Sequence, residues 1–359
     1  MPYMLKRVLL TTGGTGGHIF PALAVAEELR ARHQVKLLFM GSLYGPEKRL
    51  AEQAGIEFVG LDVLGVLGHG IKAVQSLAKV LLAMPKALKA VRSFAPDCTA
   101  GFGGYASFAP LLASRMLHVP AVLHEQNAVA GVTNRLLARL CASICVSLPG
   151  TQGFGARKLT LTGNPVRRCI FAAGKEQRSF DRKHLLVLGG SQGAHALNTM
   201  IVELLPALKE AGISLLHQTG TKDYAEVAAA YEQAGMTDSV VSAFVDDMEQ
   251  AYSWADLGVT RAGASTVAEL CGTGLPALLV PYPYAAHDHQ MFNARALEKA
   301  GACKVFDQKT LAADELKSAI LAHISAQDEL RAMSKAALSL AQPEAAAKVC
   351  AALEACAAS

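Results

Sequence analysis

Short apolar runs alternate with helical patterns along the whole chain. In the first half the runs RVLLTT, VKLLFMG and FVGLDV are separated by PALAVAEELRAR and GPEKRLAEQAG. Strand followed by helix, repeated, predicts an α/β fold in which a parallel sheet is covered by helices on both faces. We expect Pro21 to open the first helix, because its missing N–H would have no intrahelical partner there.

The same pattern restarts in the middle of the chain, at KHLLVLGGSQGAHALNTMIVELLPAL. The segment before it, TGNPVRRCIFAAGKEQRSFDRK, is polar and rich in helix breakers and is interpreted as a linker. A chain of 359 residues also exceeds the size at which one core usually stops growing. We therefore expect two doubly wound domains that meet near Pro165 and face a central cleft, where such folds bind their ligands.

Composition excludes several classes of protein. The net charge is only +4, and basic residues are not interleaved with aromatic ones, so no nucleic-acid partner is expected. Charged residues, histidine or proline, such as Arg115, His118, Pro110 and Pro276, interrupt the apolar stretches before the roughly 20 residues that a membrane-spanning helix needs. The first apolar run is too short for a signal peptide. The 8 cysteines form no CxxC pair, so free thiols are expected rather than disulfides or zinc ligands.

Two glycine loops carry the first functional signal. GGTGGH, residues 13–18, and GGSQGA, residues 189–194, each join a strand to a helix, an arrangement whose backbone N–H groups bind anions such as phosphate. The dinucleotide fingerprint is absent, because Ile19 stands where its last glycine is needed. A Walker loop is excluded, because the pair Gly174-Lys175 continues as Glu176. No cofactor is therefore expected.

Polar side chains at other strand ends leave alternatives open. Glu269 follows Ser265 and Thr266 by about one helical turn and either caps its helix or binds the two hydroxyls of a ribose. Asn127 and Thr133 either belong to a site or only cap a helix. His287 and His289 lack a third ligand near them in the sequence, so we expect no metal site.

Eight segments in order resemble the MurG family of glycosyltransferases: GGTGGHIFPALAVA, GFGGYAS, LHEQNAVAGVTN, GNPVR, GGSQGA, FVDDM, RAGASTVAE and DHQMFNA. These enzymes transfer N-acetylglucosamine from UDP-N-acetylglucosamine to undecaprenyl-pyrophosphoryl-N-acetylmuramoyl-pentapeptide, converting lipid I to lipid II in peptidoglycan synthesis. The resemblance implies two Rossmann-like domains of the GT-B type. Residues 1–165 would form the acceptor and membrane-side domain, joined by a C-terminal helix at 341–359, and residues 166–340 would bind UDP-N-acetylglucosamine.

The resemblance also implies a donor site. It consists of Thr15, Gly16, Gly17, Asn127, Arg167, Ser191, Gln192, Val245, Ala264, Ser265, Thr266, Glu269 and Gln290. Ser191 and Gln192 would meet the diphosphate, the Val245 backbone the uracil, and the helix start at 264–266 the phosphates. Glu269 would hold the ribose and Gln290 the sugar hydroxyls. Ser265 replaces a leucine common in the family, which leaves the backbone contacts of that position intact.

Enzymes of this family invert the configuration at the anomeric carbon, which implies one in-line displacement by the muramoyl 4-hydroxyl. His18 is the preferred general base, because imidazole exchanges protons near neutral pH, with Glu125 as the rival and a purely structural His18 as the alternative. The acceptor diphosphate is assigned to Gly14, Gly103, Gly104 and Tyr105. Asp246 and Asp247 match the uracil loop rather than a metal-binding pair, so catalysis without a metal is expected.

A basic helical segment, Ile71 to Arg92, matches the membrane-facing patch of the family. Lys72, Lys79, Lys86 and Lys89 either steer the protein to anionic lipid at the cytoplasmic face of the membrane or form a solvated helix face. The segment has no aromatic residue, so attachment would use Leu77, Leu81 and Leu82 together with the lysines. A rival function is that of the UDP-N-acetylglucosamine 2-epimerases, which share the GT-B architecture and need no lipid acceptor.

Overall fold

The computed structural model describes residues 4–63, 71–174, 178–190, 193–285 and 288–358, with only the backbone described for 71–78. The chain forms two compact units. Unit 1 runs to Arg167 and includes the residues from Pro343 onward, and unit 2 is Arg168–Gln342. The change from one unit to the other, between Arg167 and Arg168, lies close to Pro165, within the segment interpreted as a linker.

Unit 1 contains a sheet of seven parallel strands. They are β1 (Arg7–Thr11), β2 (Lys36–Ser42), β3 (Glu57–Leu61), β4 (Cys98–Gly101), β5 (Ala121–Glu125), β6 (Ser143–Val146) and β7 (Thr160–Leu161), in the order β3-β2-β1-β4-β5-β6-β7. Val8 pairs with Leu37 on one side and with Cys98 on the other. Successive residues of β1 are fully buried because helices cover both faces of the sheet, as parallel sheets require.

The helices of unit 1 that precede the domain boundary are α1 (Gly16–Arg32), α2 (Glu47–Gln53), α3 (Ile71–Phe94), α4 (Phe108–Met116) and α5 (Val132–Leu137). The expectation for Pro21 was wrong, because α1 begins at Gly16 and contains Pro21 in its interior. The proline gives up one intrahelical hydrogen bond there. The earlier start places His18 in the first turn of α1.

Unit 2 has six parallel strands, β8 (His184–Leu188), β9 (Ser214–Gln218), β10 (Val240–Ser242), β11 (Leu257–Thr260), β12 (Ala277–Leu279) and β13 (Cys303–Val305), in the order β10-β9-β8-β11-β12-β13. Its helices are α6 (Arg168–Ala173), α7 (His195–Glu210), α8 (Tyr224–Ala234), α9 (Met248–Trp254), α10 (Ala264–Thr273), α11 (His289–Lys299), α12 (Ala313–Ser325) and α13 (Gln327–Ser339). The segment interpreted as a linker contains α6, whose Ile170 is buried, so it is partly folded into unit 2.

Each sheet has one point at which the strand order reverses. In unit 1 it lies between β1 and β4, and in unit 2 between β8 and β11. Doubly wound sheets bind ligands beyond the carboxyl ends of the strands at this point. The described residues that follow these four strand ends are 12–15, 102–104, 189–190 with 193–194, and 261–263. They contain the first three residues of GGTGGH and the described residues of GGSQGA.

The C-terminal helix α14 (Ala345–Ala358) packs on the sheet of unit 1. Its Val349 and Leu353 are buried in the same apolar cluster as Leu10 and Ile19. A polar contact is added by Glu354, whose Oε1 accepts a hydrogen bond from buried His33 Nε2 at 2.9 Å. Arg32 Nη2 lies 3.3 Å from the same oxygen. Apolar packing and this triad attach α14 to unit 1.

The variant Glu354→Ala is expected to lower the free energy of unfolding by about 1–3 kcal/mol, because His33 would lose its partner inside the protein. Urea unfolding of parent and variant measures the difference. Glu344→Ala is the matched control, since Glu344 is exposed just before α14. Equal stability of the two variants would show that the triad does not hold α14 in place.

The cysteines form no disulfide bond, and none of the described helices is suited to span a membrane. All eight cysteines are free thiols, and six of them are buried. Burial raises the pKa of the Cys145 thiol to about 12, which keeps it protonated and unreactive. Among the residues that the structure describes, no helix combines the length and apolar character needed to span a membrane.

Candidate active site

In unit 1 the glycine loop GGTGGH packs against a second glycine-rich segment, GFGG at residues 101–104, where the strand order reverses between β1 and β4. Gly13 N donates a hydrogen bond to Gly103 O at 3.1 Å. Gly104 has φ +82°, and a Cβ atom there would lie 2.1 Å from the carbonyl oxygen of Gly13. Only glycine permits this approach, so the backbones of GGTGGH and GFGG are in direct contact.

One residue assigned to the acceptor diphosphate is already engaged. Gly14 N donates to Glu47 Oε1 at 2.8 Å, and Glu47 is fully buried. The N–H of Gly14 therefore already has a partner within the protein. Gly103 uses its carbonyl toward Gly13, and Tyr105, which begins a short 3-10 helix, exposes 42% of its surface.

The side chain of His18 is hydrogen-bonded to Gln126, the residue that directly follows β5. The imidazole is half-buried, and its Nδ1 lies 2.9 Å from Gln126 Oε1. Gln126 in turn donates through Nε2 to Phe102 O at 3.0 Å and contacts His124 Nδ1 at 3.1 Å. The backbone N–H of His18 donates to the carbonyl of Thr15, the N-cap residue of α1.

His124 completes this row of contacts deeper in unit 1. Its Nε2 donates to Gly163 O at 3.0 Å, and the side chain is 1% exposed. Burial lowers the pKa of His124 to about 4. The ring is therefore neutral at physiological pH, because desolvation disfavours the imidazolium.

Glu125 acts as a buried acceptor for the loop that follows β5. Its Oε1 accepts from Asn127 N at 2.9 Å and from Asn127 Nδ2 at 3.2 Å. Its Oε2 accepts from Gly131 N at 3.2 Å and from Asn134 Nδ2 at 2.8 Å. Helix α5 has Gly131 as its N-cap and no side-chain cap, so the alternative that Asn127 or Thr133 caps it is wrong.

Arg167 is a partly buried cation near the first turns of α1. Its guanidinium carbon lies 4.7 Å from the ring centroid of Phe20. Its Nε and Nη2 atoms are buried and have no hydrogen-bond partner among the described residues. Thr15 does not cap α1 with its side chain, and Gly16 and Gly17 form the start of that helix.

Of the residues in unit 2 that the resemblance assigns to the donor, Val245 follows β10, and Ala264 to Glu269 lie in α10, which follows β11. Ser191 and Gln192 fall outside the described residues. Ala264, Ser265 and Thr266 form the first turn of α10, which follows β11 directly through the N-cap Gly263. Val245 lies half-buried in the loop between β10 and α9. Helix α7 follows β8 and helix α10 follows β11, and these two strands are neighbours in the sheet.

Two further residues that the resemblance assigns to the donor, Glu269 and Gln290, have hydrogen bonds that fix their orientation. Glu269 is 8% exposed, and its Oε2 accepts from the hydroxyl of Tyr252 at 2.9 Å. It lies beyond the first turn of α10 and is bonded across to α9, which does not support a cap. Gln290 Oε1 accepts from Tyr282 N at 2.9 Å and from Ala262 N at 3.3 Å.

The described residues contain no group of three or more His, Cys, Asp or Glu side chains that could hold a metal ion. Of the acidic pair in FVDDM, Asp247 is the N-cap of α9 and accepts a hydrogen bond from Gln250 N at 2.9 Å. His289 begins α11, and His287 lies outside the described residues.

The sequence did not indicate which residues orient the predicted site residues His18 and Glu269. Gln126 is part of the motif LHEQN, and its place in this polar run directly after β5 was the one available signal. No feature of the sequence indicated Tyr252, whose hydroxyl donates a hydrogen bond to Glu269. Arg261 was also missed: its Nη1 donates to Val280 O at 2.9 Å, and burial lowers its pKa to about 10. Arg261 thereby fixes the loop that leads into α10.

Comparison with known proteins gives a consistent result. The model of the glycosyltransferase family 28 N-terminal domain matches residues 8–146, and that of the family 28 C-terminal domain matches residues 184–349. The two models together cover most of the chain and separate it within the segment where the two units meet.

Individual relatives match over nearly their whole length. A UDP-N-acetylglucosamine--N-acetylmuramyl-(pentapeptide) pyrophosphoryl-undecaprenol N-acetylglucosamine transferase of Nitratidesulfovibrio vulgaris is 47% identical, with 98% of this chain and 97% of the relative covered. The transferase of the same name from Geobacter sulfurreducens is 43% identical, with 95% and 96% covered.

Solved structures agree. The crystal structure of Acinetobacter baumannii MurG has a TM-score of 0.74 at 34% identity, covering 98% of this chain and 99% of that one. A putative UDP-N-acetylglucosamine 2-epimerase of Listeria monocytogenes has a TM-score of 0.69 at 15% identity, covering 97% and 96%, and shares the fold alone. The chain therefore belongs to glycosyltransferase family 28 and, within it, to the MurG family that its motifs resemble.

Proposed function

We propose that this chain transfers N-acetylglucosamine from UDP-N-acetylglucosamine to the 4-hydroxyl of undecaprenyl-pyrophosphoryl-N-acetylmuramoyl-pentapeptide, the step from lipid I to lipid II in peptidoglycan synthesis. The observation that carries the proposal is the 47% identity, over 98% of this chain, to a transferase named for this donor and this acceptor. The epimerase-like structures share only the fold and do not support that alternative.

The donor diphosphate is proposed to bind in unit 2 at the starts of α7 and α10. Both helices begin beyond adjacent parallel strands, at the point where the strand order reverses. Their first N–H groups and dipoles favour an anion. These contacts would come from Ser191 and Gln192, which precede α7 in the sequence, and from the first turn of α10, Ala264, Ser265 and Thr266.

The remainder of the donor is assigned to neighbouring elements of unit 2. The backbone of Val245 would pair with uracil, and Glu269 would accept hydrogen bonds from the ribose hydroxyls while Tyr252 holds one of its oxygens. Gln290 uses its amide oxygen for two backbone N–H groups. Its amide nitrogen is therefore the group that it would offer to the sugar hydroxyls.

Unit 1 is proposed to add further donor contacts through Thr15, Gly16, Gly17, Asn127 and Arg167. Support comes from Arg167, whose Nε and Nη2 are buried donors without partners among the described residues. A phosphate oxygen would satisfy them. Asn127 donates to Glu125 through its side-chain nitrogen, so its amide oxygen is the atom that it would present. For the acceptor diphosphate, Gly103, Gly104 and Tyr105 are retained and Gly14 is not, because of its bond to Glu47.

His18 rather than Glu125 is proposed as the general base. The carboxylate of Glu125 accepts hydrogen bonds from four N–H groups, and protonating it would disrupt them. In the reaction the muramoyl 4-oxygen attacks C1 of N-acetylglucosamine, and His18 accepts the hydroxyl proton. The bond from C1 to the diphosphate oxygen breaks, and UDP leaves with the electron pair. A single displacement of this kind inverts C1.

Catalysis is proposed to proceed without a metal ion. A helix N-terminus contributes about 0.3–2 kcal/mol to an anion, and a charged hydrogen bond such as that from Arg167 about 1.5–3 kcal/mol. Orientation of the substrates supplies the rest. We expect the rate of transfer to be unchanged after dialysis against EDTA. Loss of activity that returns on adding Mg²⁺ or Mn²⁺ would contradict the proposal.

Contact with the cytoplasmic face of the membrane is proposed to use the exposed face of α3. Val80, Ala83, Ala87 and Val91 bury one face of that helix. The opposite face exposes Leu81 by 60% and Leu82 by 79%, together with Lys86, Lys89 and Arg92. Lys79 is engaged with Asp62 at 3.5 Å, so it is less available to lipid than the sequence suggested.

The double variant Lys86→Gln/Lys89→Gln is expected to bind vesicles containing anionic lipid about 30-fold more weakly, at about 1 kcal/mol for each lysine. Sedimentation with vesicles at low and high salt measures the effect. The control pair Lys309→Gln/Lys335→Gln changes two exposed lysines of unit 2. Equal binding by both double variants, or binding that salt does not weaken, would leave α3 as a solvated face.

The function is tested by measuring release of UDP from UDP-N-acetylglucosamine with and without a short-chain analogue of the lipid-linked acceptor. We expect UDP release only when the acceptor is present. Conversion of the UDP-sugar to its 2-epimer without acceptor would instead support the epimerase alternative.

A further inference from the structure

The side chains behind His18 form a row in which every hydrogen bond has one consistent direction. The row runs from Gly163 O through His124 and Gln126 to His18 Nδ1, with distances of 3.0, 3.1 and 2.9 Å. A second carbonyl, Phe102 O, lies 3.0 Å from Gln126 Nε2. Carbonyl oxygens only accept hydrogen bonds, so these two backbone groups fix the direction of the whole row.

At the inner end, Gly163 O requires that His124 Nε2 carry a hydrogen. Because His124 is buried and neutral, its Nδ1 then has a lone pair and accepts from Gln126. At the middle, Phe102 O requires that the amide nitrogen of Gln126 face inward. The two hydrogens of that nitrogen match Phe102 O and His124 Nδ1, while His124 O lies farther away at 3.3 Å.

This orientation directs the amide oxygen of Gln126 outward to His18. An amide oxygen only accepts, so His18 Nδ1 must carry a hydrogen. The reverse orientation of the amide would place its oxygen against the carbonyl oxygen of Phe102. In the neutral imidazole the lone pair is then on Nε2, and in the imidazolium Nδ1 keeps its hydrogen. Proton exchange at His18 is thus confined to Nε2.

We propose that Gln126 is a positioning residue that holds the proton of His18 on Nδ1 and leaves Nε2 as the atom that accepts the proton of the attacking hydroxyl. The inference rests on the proposed role of His18 as general base. It extends that role by naming the reactive nitrogen and the side chain that selects it. A triad of nucleophile, base and orienting group uses the same logic.

The first test is a direct reading of the tautomer. The protein labelled with ¹⁵N-histidine contains 11 histidines, and the spectrum of His18→Ala identifies the signals of His18 by their loss. At a pH at which His18 is neutral we expect a protonated Nδ1 and an unprotonated Nε2 in the parent protein. A neutral His18 protonated at Nε2 would overturn the inference, whatever the activity of the enzyme.

The second test removes the orienting group. Gln126→Met keeps the length of the side chain and abolishes its hydrogen bonds. We expect the Nδ1-protonated signature to be lost and kcat to fall by about 10- to 100-fold, with little change in KM for UDP-N-acetylglucosamine. Thr99→Val is the matched control, because it removes a buried hydrogen bond between Thr99 Oγ1 and Ser114 Oγ in the same unit. A fall in kcat of equal size in this control would overturn the inference.

A double variant separates positioning from stability. In the His18→Ala background, Gln126→Met should cause no further loss of kcat, because its partner is already absent. A further loss of the same size as in the parent would show that Gln126 acts on the fold alone. Full activity of His18→Ala would instead refute the proposed general base, while the tautomer spectrum would still decide whether Gln126 orients His18.

Discussion

Replacing His18 by alanine is expected to lower kcat by about a hundredfold or more, the range found when a general base is removed. The imidazole is the half-buried titratable group in the first turn of α1, and Gln126 holds its Nδ1. KM for UDP-N-acetylglucosamine should change little, because His18 is not among the residues proposed to bind the donor. Initial rates with the short-chain acceptor measure both constants.

The control for this prediction is His323→Ala. His323 lies in α12, where its Nδ1 donates to Ala319 O within the same helix, and it has no assigned part in the reaction. Its replacement should leave kcat unchanged. A His18→Ala enzyme with the kcat of the parent would show that the hydroxyl loses its proton without His18, and Glu125 would have to be reconsidered.

The second large effect is expected from Glu269→Ala. A carboxylate that accepts hydrogen bonds from two ribose hydroxyls is worth about 1.5–3 kcal/mol for each bond. The variant should therefore have a kcat/KM for UDP-N-acetylglucosamine lower by about a hundredfold or more. It should also lose most of its preference for this donor over the 2′-deoxyribose analogue, since the group that recognises the hydroxyl is gone.

Tyr252→Phe provides the comparison. It removes the hydrogen bond to Glu269 Oε2 and leaves the carboxylate in place, so the loss of donor preference should be much smaller. Competition between the two donors in one reaction gives the ratio directly. If Glu269→Ala still rejects the deoxy donor as strongly as the parent does, Glu269 has a structural role only.

The general architecture could be predicted from the sequence because the apolar runs and helical patterns are strongly periodic. They specify parallel sheets, and the glycine loops mark the strand ends at which the strand order reverses. The start of α1 could not be placed in the same way. Pro21 suggested a later start, but the helix begins where the backbone leaves the glycine loop, at Gly16.

Partners across the fold were also beyond prediction. His18 and Gln126 are 108 positions apart, and Gly14 and Glu47 are 33 apart. Local patterns contain no information on which side chain meets which backbone group at such separations. The hydrogen bond from Gly14 N to Glu47 is one such contact, and no sequence pattern indicated it. The four hydrogen bonds to Glu125 favour His18 over Glu125 as the base.

The structure of the product tests the account most directly. NMR of the disaccharide formed from UDP-N-acetylglucosamine and the short-chain muramoyl acceptor should show one new glycosidic bond to the muramoyl 4-oxygen. Its anomeric configuration should be β, inverted from the α configuration of the donor, as a single displacement assisted by one base requires. An α linkage, attachment to another hydroxyl, or no disaccharide at all would contradict the account.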